Sequence, residues 1–305
     1  MKYGQLVIGP AGSGKSTYCY NLEQHCEVIG RNVRLVNLDP AAEYFEYKAD
    51  VDVRELISIE DVMDDDELRF GPNGGLIFCM EFLMENVAWL EKELECEDDA
   101  YFIFDCPGQI ELYSHLPVMV DLLKILDHLD FVVGTVFVLD SQFLIEPVKY
   151  FGGVLAALSA MLHLNRPHVN VATKIDLLTD EEKQKFDSIL EEDIKEAMLS
   201  DASLSGFSSK YNALNGALCK LIEDYNIVSF FPLDVREEDA IDSHHSKDDV
   251  CETRPWYRRG RRLRAVKAFS TIHESRYLVI QDIPGNMKID EELIKVSSFR
   301  LFSLI

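Results

Sequence analysis

The nine residues Gly9-Pro10-Ala11-Gly12-Ser13-Gly14-Lys15-Ser16-Thr17 constrain this chain more than any other segment. They follow a short apolar run, Gln5–Ile8, and precede a stretch in which Tyr18, Leu22 and Val28-Ile29 recur at helical spacing. The order therefore reads strand, glycine-rich loop, helix. A G-x-x-x-x-G-K-S string in that setting is a phosphate-binding loop. Its glycines let successive backbone N–H groups turn inward around a β-phosphate, Lys15 neutralises the β/γ charge, and the Ser16 hydroxyl can ligate Mg²⁺. Gly12, Ser13, Gly14 and Thr17 complete this part of the nucleotide-binding set. A purely structural glycine turn is the bland alternative, and the flanking strand and helix weigh against it.

The same alternation continues down the chain. Strands are predicted at Arg34–Leu38, Tyr101–Phe104, Phe131–Leu139 and Val169–Ala172, separated by helical patterns at Leu76–Leu94, Leu116–Leu126, Phe143–Leu164 and Glu181–Met198. The continuous Val/Phe-rich run 131–139 is what a strand covered on both faces shows. The implied fold is α/β: a doubly wound, mostly parallel sheet with helices on both faces, whose ligands bind at the C-terminal strand edge. Three strands end in aspartates, Asp39, Asp105 and Asp140. The acidic clusters Asp61–Glu67 and Glu91–Asp99 read as solvated helix ends and loops.

A P-loop alone does not choose a nucleotide or a reaction. Thr173-Lys174-Ile175-Asp176 follows a late strand and has the T-K-x-D form, in which an aspartate accepts hydrogen bonds from guanine N1–H and N2–H₂ and the Lys174 stem covers the base. As a bare string it could equally be a surface Lys-x-Asp pair. Asp105-Cys106-Pro107-Gly108 supplies a carboxylate near Mg²⁺ and a glycine N–H able to sense a γ-phosphate, against the reading of an ordinary strand-ending turn. Gly71-Pro72-Asn73, between the Arg34–Leu38 and Tyr101–Phe104 strands, opens a helix; by itself it is a plain turn. Cys106 has no histidine at a usable position and reads as a small buried residue. His244-His245 lacks a companion Cys/His set, so Mg²⁺ is the one metal expected.

Taken in order, Gly9–Thr17, Asp39-Pro40-Ala41-Ala42, Gly71-Pro72-Asn73, Asp105-Cys106-Pro107-Gly108-Gln109 and Thr173–Asp176 resemble the GPN-loop GTPases over about residues 3–242. The resemblance implies a dimeric GTPase of the SIMIBI class that binds GTP or GDP with Mg²⁺, two sites facing each other. It implies Ser16, Asp39 and Asp105 around the metal, and Asn73 reaching toward the partner's γ-phosphate. It makes Asp39 the first candidate to order the attacking water, with Gln109 and Glu111 behind it. It also implies heterodimers with GPN-loop GTPase 1, homodimers being the alternative. The implied role is assembly and nuclear import of RNA polymerases II and III, through their subunits or assembly factors. A P-loop small-molecule kinase would use Lys15, Ser16 and Asp105 equally, but no arginine-rich lid stands near the site. A nucleotide-binding structural partner with little hydrolysis is the third reading.

Charge bears on the partners. The 305 residues hold 30 Lys/Arg and 54 Asp/Glu, a net −24, which repels a phosphate backbone and points to proteins or a small ligand rather than nucleic acid. Seven cysteines without a CxxC pair, several inside apolar runs, fit reduced thiols of the cytosol or nucleus. The N-terminus lacks a signal-peptide core, and no apolar run reaches the ~20 residues of a membrane span, so a cytoplasmic protein with nuclear shuttling and no membrane contact is expected.

The resemblance stops at about residue 242, where the charge sign also reverses. Residues 243–305 hold 12 Lys/Arg against 8 Asp/Glu and include Trp256-Tyr257-Arg258-Arg259-Gly260-Arg261-Arg262-Leu263-Arg264. Two readings stand: a basic tail serving as an import signal or acidic-partner patch, or a frame or splice-boundary artefact in the gene. Intact-mass measurement of the native protein separates them. The tail predicts 34.8 kDa, and a native mass lacking residues 243–305 overturns it.

Overall fold

A computed structural model describes residues 2–28, 30–43, 46–65, 68–95, 100–191, 228 and 230–234. The tail beyond 242 and the C-terminal part of the predicted helix 181–198 lie outside the described residues. The chain divides into two units, residues 1–140 with 152–171, and residues 141–151 with 172–305.

In the first unit, β1 (Lys2–Ile8), β2 (Val33–Asn37), β3 (Val51–Asp52), β4 (Tyr101–Asp105), β5 (Phe131–Asp140) and β6 (His168–Thr173) run in the order β3-β2-β4-β1-β5-β6. The pairings β1–β4, β1–β5, β2–β3 and β2–β4 are all parallel, with Val7 beside Asp105 and Ile8 beside Phe137. Chain order departs to one side of β1 and later to the other, which makes its C-terminal end the topological switch point of the doubly wound sheet. Every residue of β4 is buried, as a strand covered on both faces requires. Leu6, Val7, Ile8, Leu35, Val36, Phe102, Ile103 and Phe104 are wholly buried and form the centre of the core.

Helices α1 (Lys15–Val28), α2 (Ile59–Met63), α3 (Pro72–Glu85), α4 (Val87–Glu93), α5 (Glu111–Ser114), α6 (Val118–His128) and α7 (Pro147–Leu164) connect these strands. The apolar pattern 76–94 predicts one helix; two form. Asn86 turns its amide back to donate to the Phe82 carbonyl at 2.8 Å and leaves helical geometry at φ −109°, ψ 40°. A short polar side chain that competes for backbone partners ends helices this way. The pattern 143–164 begins later than predicted, because a 3₁₀ turn, Ser141–Leu144, precedes Pro147, whose fixed φ suits a first helical position. The two-residue β3 was not legible at all, being shorter than any periodicity. In the acidic segment, Asp61, Asp64 and Asp65 are exposed as predicted, with Asp61 capping α2 through Ser58.

The second unit contains the end of β6, α8 (Asp180–Glu191) and β7 (Phe230–Pro232). After β7 the Leu233 N–H donates to the Ala172 carbonyl at 2.8 Å. Tyr150 and Phe230 pack edge-on, 6.2 Å between ring centroids.

His168 opens β6 with Nδ1 2.7 Å from the Thr135 hydroxyl and Nε2 3.0 Å from Asn170 Oδ1, beside the Phe137 ring. Enclosure pushes its pKa down to about 4, with the Asn170 hydrogen bond opposing. An unfolded histidine titrates near 6.5, so as pH falls from about 6.5 toward 4 the unfolded chain takes the proton first and stability is lost. The thermal midpoint is therefore expected to fall across that window, and to fall less steeply in His168→Gln; equal slopes would remove His168 as the cause.

Candidate functional site

The loops after β1, β2 and β4 meet at the C-terminal sheet edge, and glycine is what lets them do so. Gly9 has φ +144°, and a Cβ there would stand 2.2 Å from the Val138 carbonyl oxygen of β5. Gly12 and Gly14 have φ +72° and +87°, the left-handed region that glycine enters without strain. Gly108 lies against the loop from the other side: a methyl there would meet Ala11 Cα at 2.7 Å. The Asp105–Gly108 turn and the P-loop are thus in backbone contact.

Lys15, at the first turn of α1, is buried, and Nζ donates to the carbonyls of Gly9 at 3.2 Å and Pro10 at 3.1 Å. Burial lowers its pKa, opposed by the charges of Asp105 and Asp39. Asp105 ends β4 with 3% exposure; burial raises its carboxyl, opposed by the Ser16 and Tyr47 hydroxyls and by Lys15. Asp105 Oδ2 accepts the Tyr47 hydroxyl at 2.8 Å, whereas Oδ1 has no hydrogen-bond partner among the described residues. A buried carboxylate oxygen without a partner, beside a hydroxyl and a lysine, fits Mg²⁺, which takes one or two protein oxygens and completes its shell with phosphate and water. No cluster of three or more His, Cys, Asp or Glu suited to an all-protein metal site occurs among the described residues.

Asp39, two residues beyond β2, accepts the Ala41 N–H at 2.9 Å. Burial raises its carboxyl, opposed by that hydrogen bond and by Lys15 and Arg54. A polar frame holds the turn: Asn37 Oδ1 accepts the Asp39 N–H at 3.0 Å and its amide donates to Asp52 at 2.9 Å, while Arg54 pairs with Asp52 and donates to the Ala42 carbonyl at 2.7 Å. The sequence expects Lys15, Asp39 and Asp105 at one edge, and the structure brings them within electrostatic reach of one another. Sequence reasoning missed Tyr47, Asn37, Asp52 and Arg54. Only the end of a strand near Asn37 could have hinted at that group.

Gly71, Pro72 and Asn73 are exposed at the start of α3, with Pro72 in the first helical position. Asn73 makes no side-chain hydrogen bond with the described residues. Gln109 is half-buried and Glu111 exposed at the start of α5; neither forms a side-chain hydrogen bond with the described residues. Tyr113 of α5 holds the turn from beneath by donating to the Pro107 carbonyl. Cys106 is fully buried and its thiol is pushed far up by burial, which makes it inert as a nucleophile. Cys19, Cys26, Cys79 and Cys106 are all free and buried, as the cysteine pattern predicts.

In the second unit, Thr173 is buried at the end of β6 and Lys174 takes the left-handed conformation, φ 59°. Lys174 caps the 3₁₀ turn Ile175–Leu177, which carries Asp176, half-exposed. The T-K-x-D string is therefore a tight turn at a strand end. No helix among the described residues is long and apolar enough to cross a membrane. In Gly108→Ala, the methyl must displace the Ala11 backbone, so nucleotide affinity should fall at least about tenfold, ~1.4 kcal/mol; unchanged affinity by calorimetric titration would contradict the contact.

A family profile described as "Conserved hypothetical ATP binding protein" matches residues 7–247. The chain is 52% identical over 240 residues to GPN-loop GTPase 3 of Danio rerio, covering 79% of this chain and 84% of that one. It is 46% identical over 241 residues to GPN-loop GTPase 3 of Dictyostelium discoideum, covering 79% and 83%. A crystal structure of a GTPase in apo form from Pyrococcus abyssi aligns with TM-score 0.62 at 25% identity, over 79% of this chain and 95% of that chain. The profile match spans the P-loop, the Asp39 turn, the Gly71-Pro72-Asn73 loop and the Asp105 turn, and with relatives 46–52% identical over 79% of its length the chain belongs to the GPN-loop GTPase family.

Proposed function

We propose that this protein is a GTP-binding and GTP-hydrolysing switch that works as a dimer, over residues 1–242, with Mg²⁺ as its metal. The observation that carries the reading is the glycine-turned P-loop beside a buried Asp105 oxygen that has no hydrogen-bond partner among the described residues. The names of its relatives support guanine over adenine, as does the Lys174–Asp176 turn, whose carboxylate suits guanine's two donors. The profile's description mentions ATP, so the base is a point the test must address.

Residue roles follow from chemistry. The P-loop N–H groups and Lys15 bind the phosphates. In trading the Gly9 and Pro10 carbonyls for phosphate, Lys15 gives up weak partners for a stronger, charge-assisted one. Ser16 and Asp105, with Asp39 nearby, hold Mg²⁺, which when bound neutralises charge on the β- and γ-phosphates. Asp39 is held by the Ala41 N–H and raised by burial, so it accepts a proton more readily than an exposed aspartate and is suited to orienting the attacking water. Gln109 and Glu111 stand on the adjacent turn and shape it. Gly108 supplies an N–H beside the P-loop. Asn73, exposed and without a side-chain hydrogen bond to the described residues, reaches the facing subunit's phosphate as a neutral donor. Thr173, Lys174 and Asp176 take the base.

The partner in this reading is GPN-loop GTPase 1 or a second copy, and the cellular work is assembly and nuclear import of RNA polymerases II and III. That work places the protein in the cytoplasm with passage to the nucleus. Asp176→Asn is expected to cut the preference for GTP over ATP by at least about tenfold, since it removes an acceptor for two donors, at ~1–3 kcal/mol. Asn73→Ala is expected to leave GTP affinity intact and slow turnover in the partner's site. Mixing Asn73→Ala with a Lys15→Ala subunit, which cannot bind nucleotide but brings an intact Asn73 to the competent site facing it, should restore turnover in part. Wild-type turnover in the Asn73→Ala dimer would remove the trans role.

A further inference from the structure

The nucleotide reading leaves one buried hydroxyl at the site without a role. We propose that Tyr47 is a positioning residue for the metal, engaging Asp105 Oδ2 so that Oδ1 is the oxygen kept for Mg²⁺; this rests on the Mg²⁺-nucleotide reading above. Tyr47 is 4% exposed, and its Oη donates to Asp105 Oδ2 at 2.8 Å, while Oδ1 of the same carboxylate has no partner among the described residues. A carboxylate's terminal torsion is broad and its two oxygens are interchangeable until something distinguishes them. Tyr47 is that distinction.

The tyrosine is held for this task from both sides of its segment. Three residues beyond it, Asp50 exchanges two hydrogen bonds with Leu35 of β2: its N–H donates to the Leu35 carbonyl at 2.8 Å, and its Oδ2 accepts the Leu35 N–H at 2.8 Å. Before it, the Ala42 carbonyl accepts Arg54 Nη1 at 2.7 Å, and Arg54 is itself fixed to Asp52. A ring used only for packing would need no hydroxyl. Partners of metal ligands commonly change metal affinity by about 10–100-fold when removed.

The test is the affinity of the full chain for GTP and for ATP, each across a Mg²⁺ titration and in EDTA, for wild type, Tyr47→Phe, Asp105→Asn and the double variant. Tyr47→Phe keeps the ring and removes one oxygen. The expected result is a rise of about tenfold in the Mg²⁺ concentration that gives half of the metal-dependent tightening, with affinity in EDTA kept within about twofold. On the Asp105→Asn background the second substitution should add nothing. An unchanged Mg²⁺ midpoint, or an equal loss in EDTA and in Mg²⁺, overturns the proposal and leaves Tyr47 a packing residue. Metal-dependent binding of ATP alone would overturn the guanine reading and still test Tyr47. No metal-dependent binding of either nucleotide by wild type overturns both.

Discussion

Everything at the functional edge depends on one electrostatic condition: a lysine and two aspartates, Lys15, Asp39 and Asp105, are drawn out of water within reach of one another. Burial pushes Lys15 down and both aspartates up; the aspartates pull Lys15 back and Lys15 pulls each aspartate back, while the charge of Asp39 pushes Asp105 further up. Such a set is costly unless it is paired or loaded with a ligand of matching charge. Alone it carries one more negative charge than positive, so a polyphosphate suits it only when a cation arrives as well. The P-loop backbone is turned as an anion cradle, and the Asp105 oxygen that has no hydrogen-bond partner among the described residues fits a cation. The fold serves this condition by setting β1, β2 and β4 side by side, so that three loops converge at the switch point.

A second constraint links this edge to Gly71-Pro72-Asn73. The Ile59 N–H, at the start of α2, donates to the Pro40 carbonyl at 3.0 Å, fastening that helix to the Asp39 turn. A Cβ at Gly75 would meet Ile59, Val62 and Met63 at 3.6–3.8 Å, so the first turn of α3 rests on α2. Ile57, Val62 and Cys79 form a small core between them, with Phe78 and Phe82 against it. The exposed loop is therefore built on an element tied by its backbone to the metal-side turn, while its own asparagine points to no partner in the described chain. That arrangement is intelligible if the loop's work lies in another subunit.

Much of this was legible in the sequence because it is local. Gly9–Thr17 spells out its own strand, turn and helix, and the aspartates announce themselves by ending apolar runs. The T-K-x-D turn needed only its place after a strand. What was not legible is long-range or subthreshold. Tyr47 meets Asp105 across 58 positions, and nothing around a single tyrosine predicts that contact. Asn37, Asp52 and Arg54 form their frame only once β3 pairs with β2, and a strand of two residues carries no period to read. Asn86 splits a helix whose apolar pattern runs straight through, because a side-chain hydrogen bond outweighs the pattern at that point.

The central claim is that a Mg²⁺-bound guanine nucleotide completes the buried Lys15, Asp39 and Asp105 set. Its most direct measurement is calorimetric titration of the full chain with GTP and with ATP, each with and without Mg²⁺. The account predicts GTP binding at least about tenfold tighter than ATP, with most of that affinity lost when Mg²⁺ is removed. Equal affinity for the two bases, or GTP binding indifferent to Mg²⁺, would contradict it.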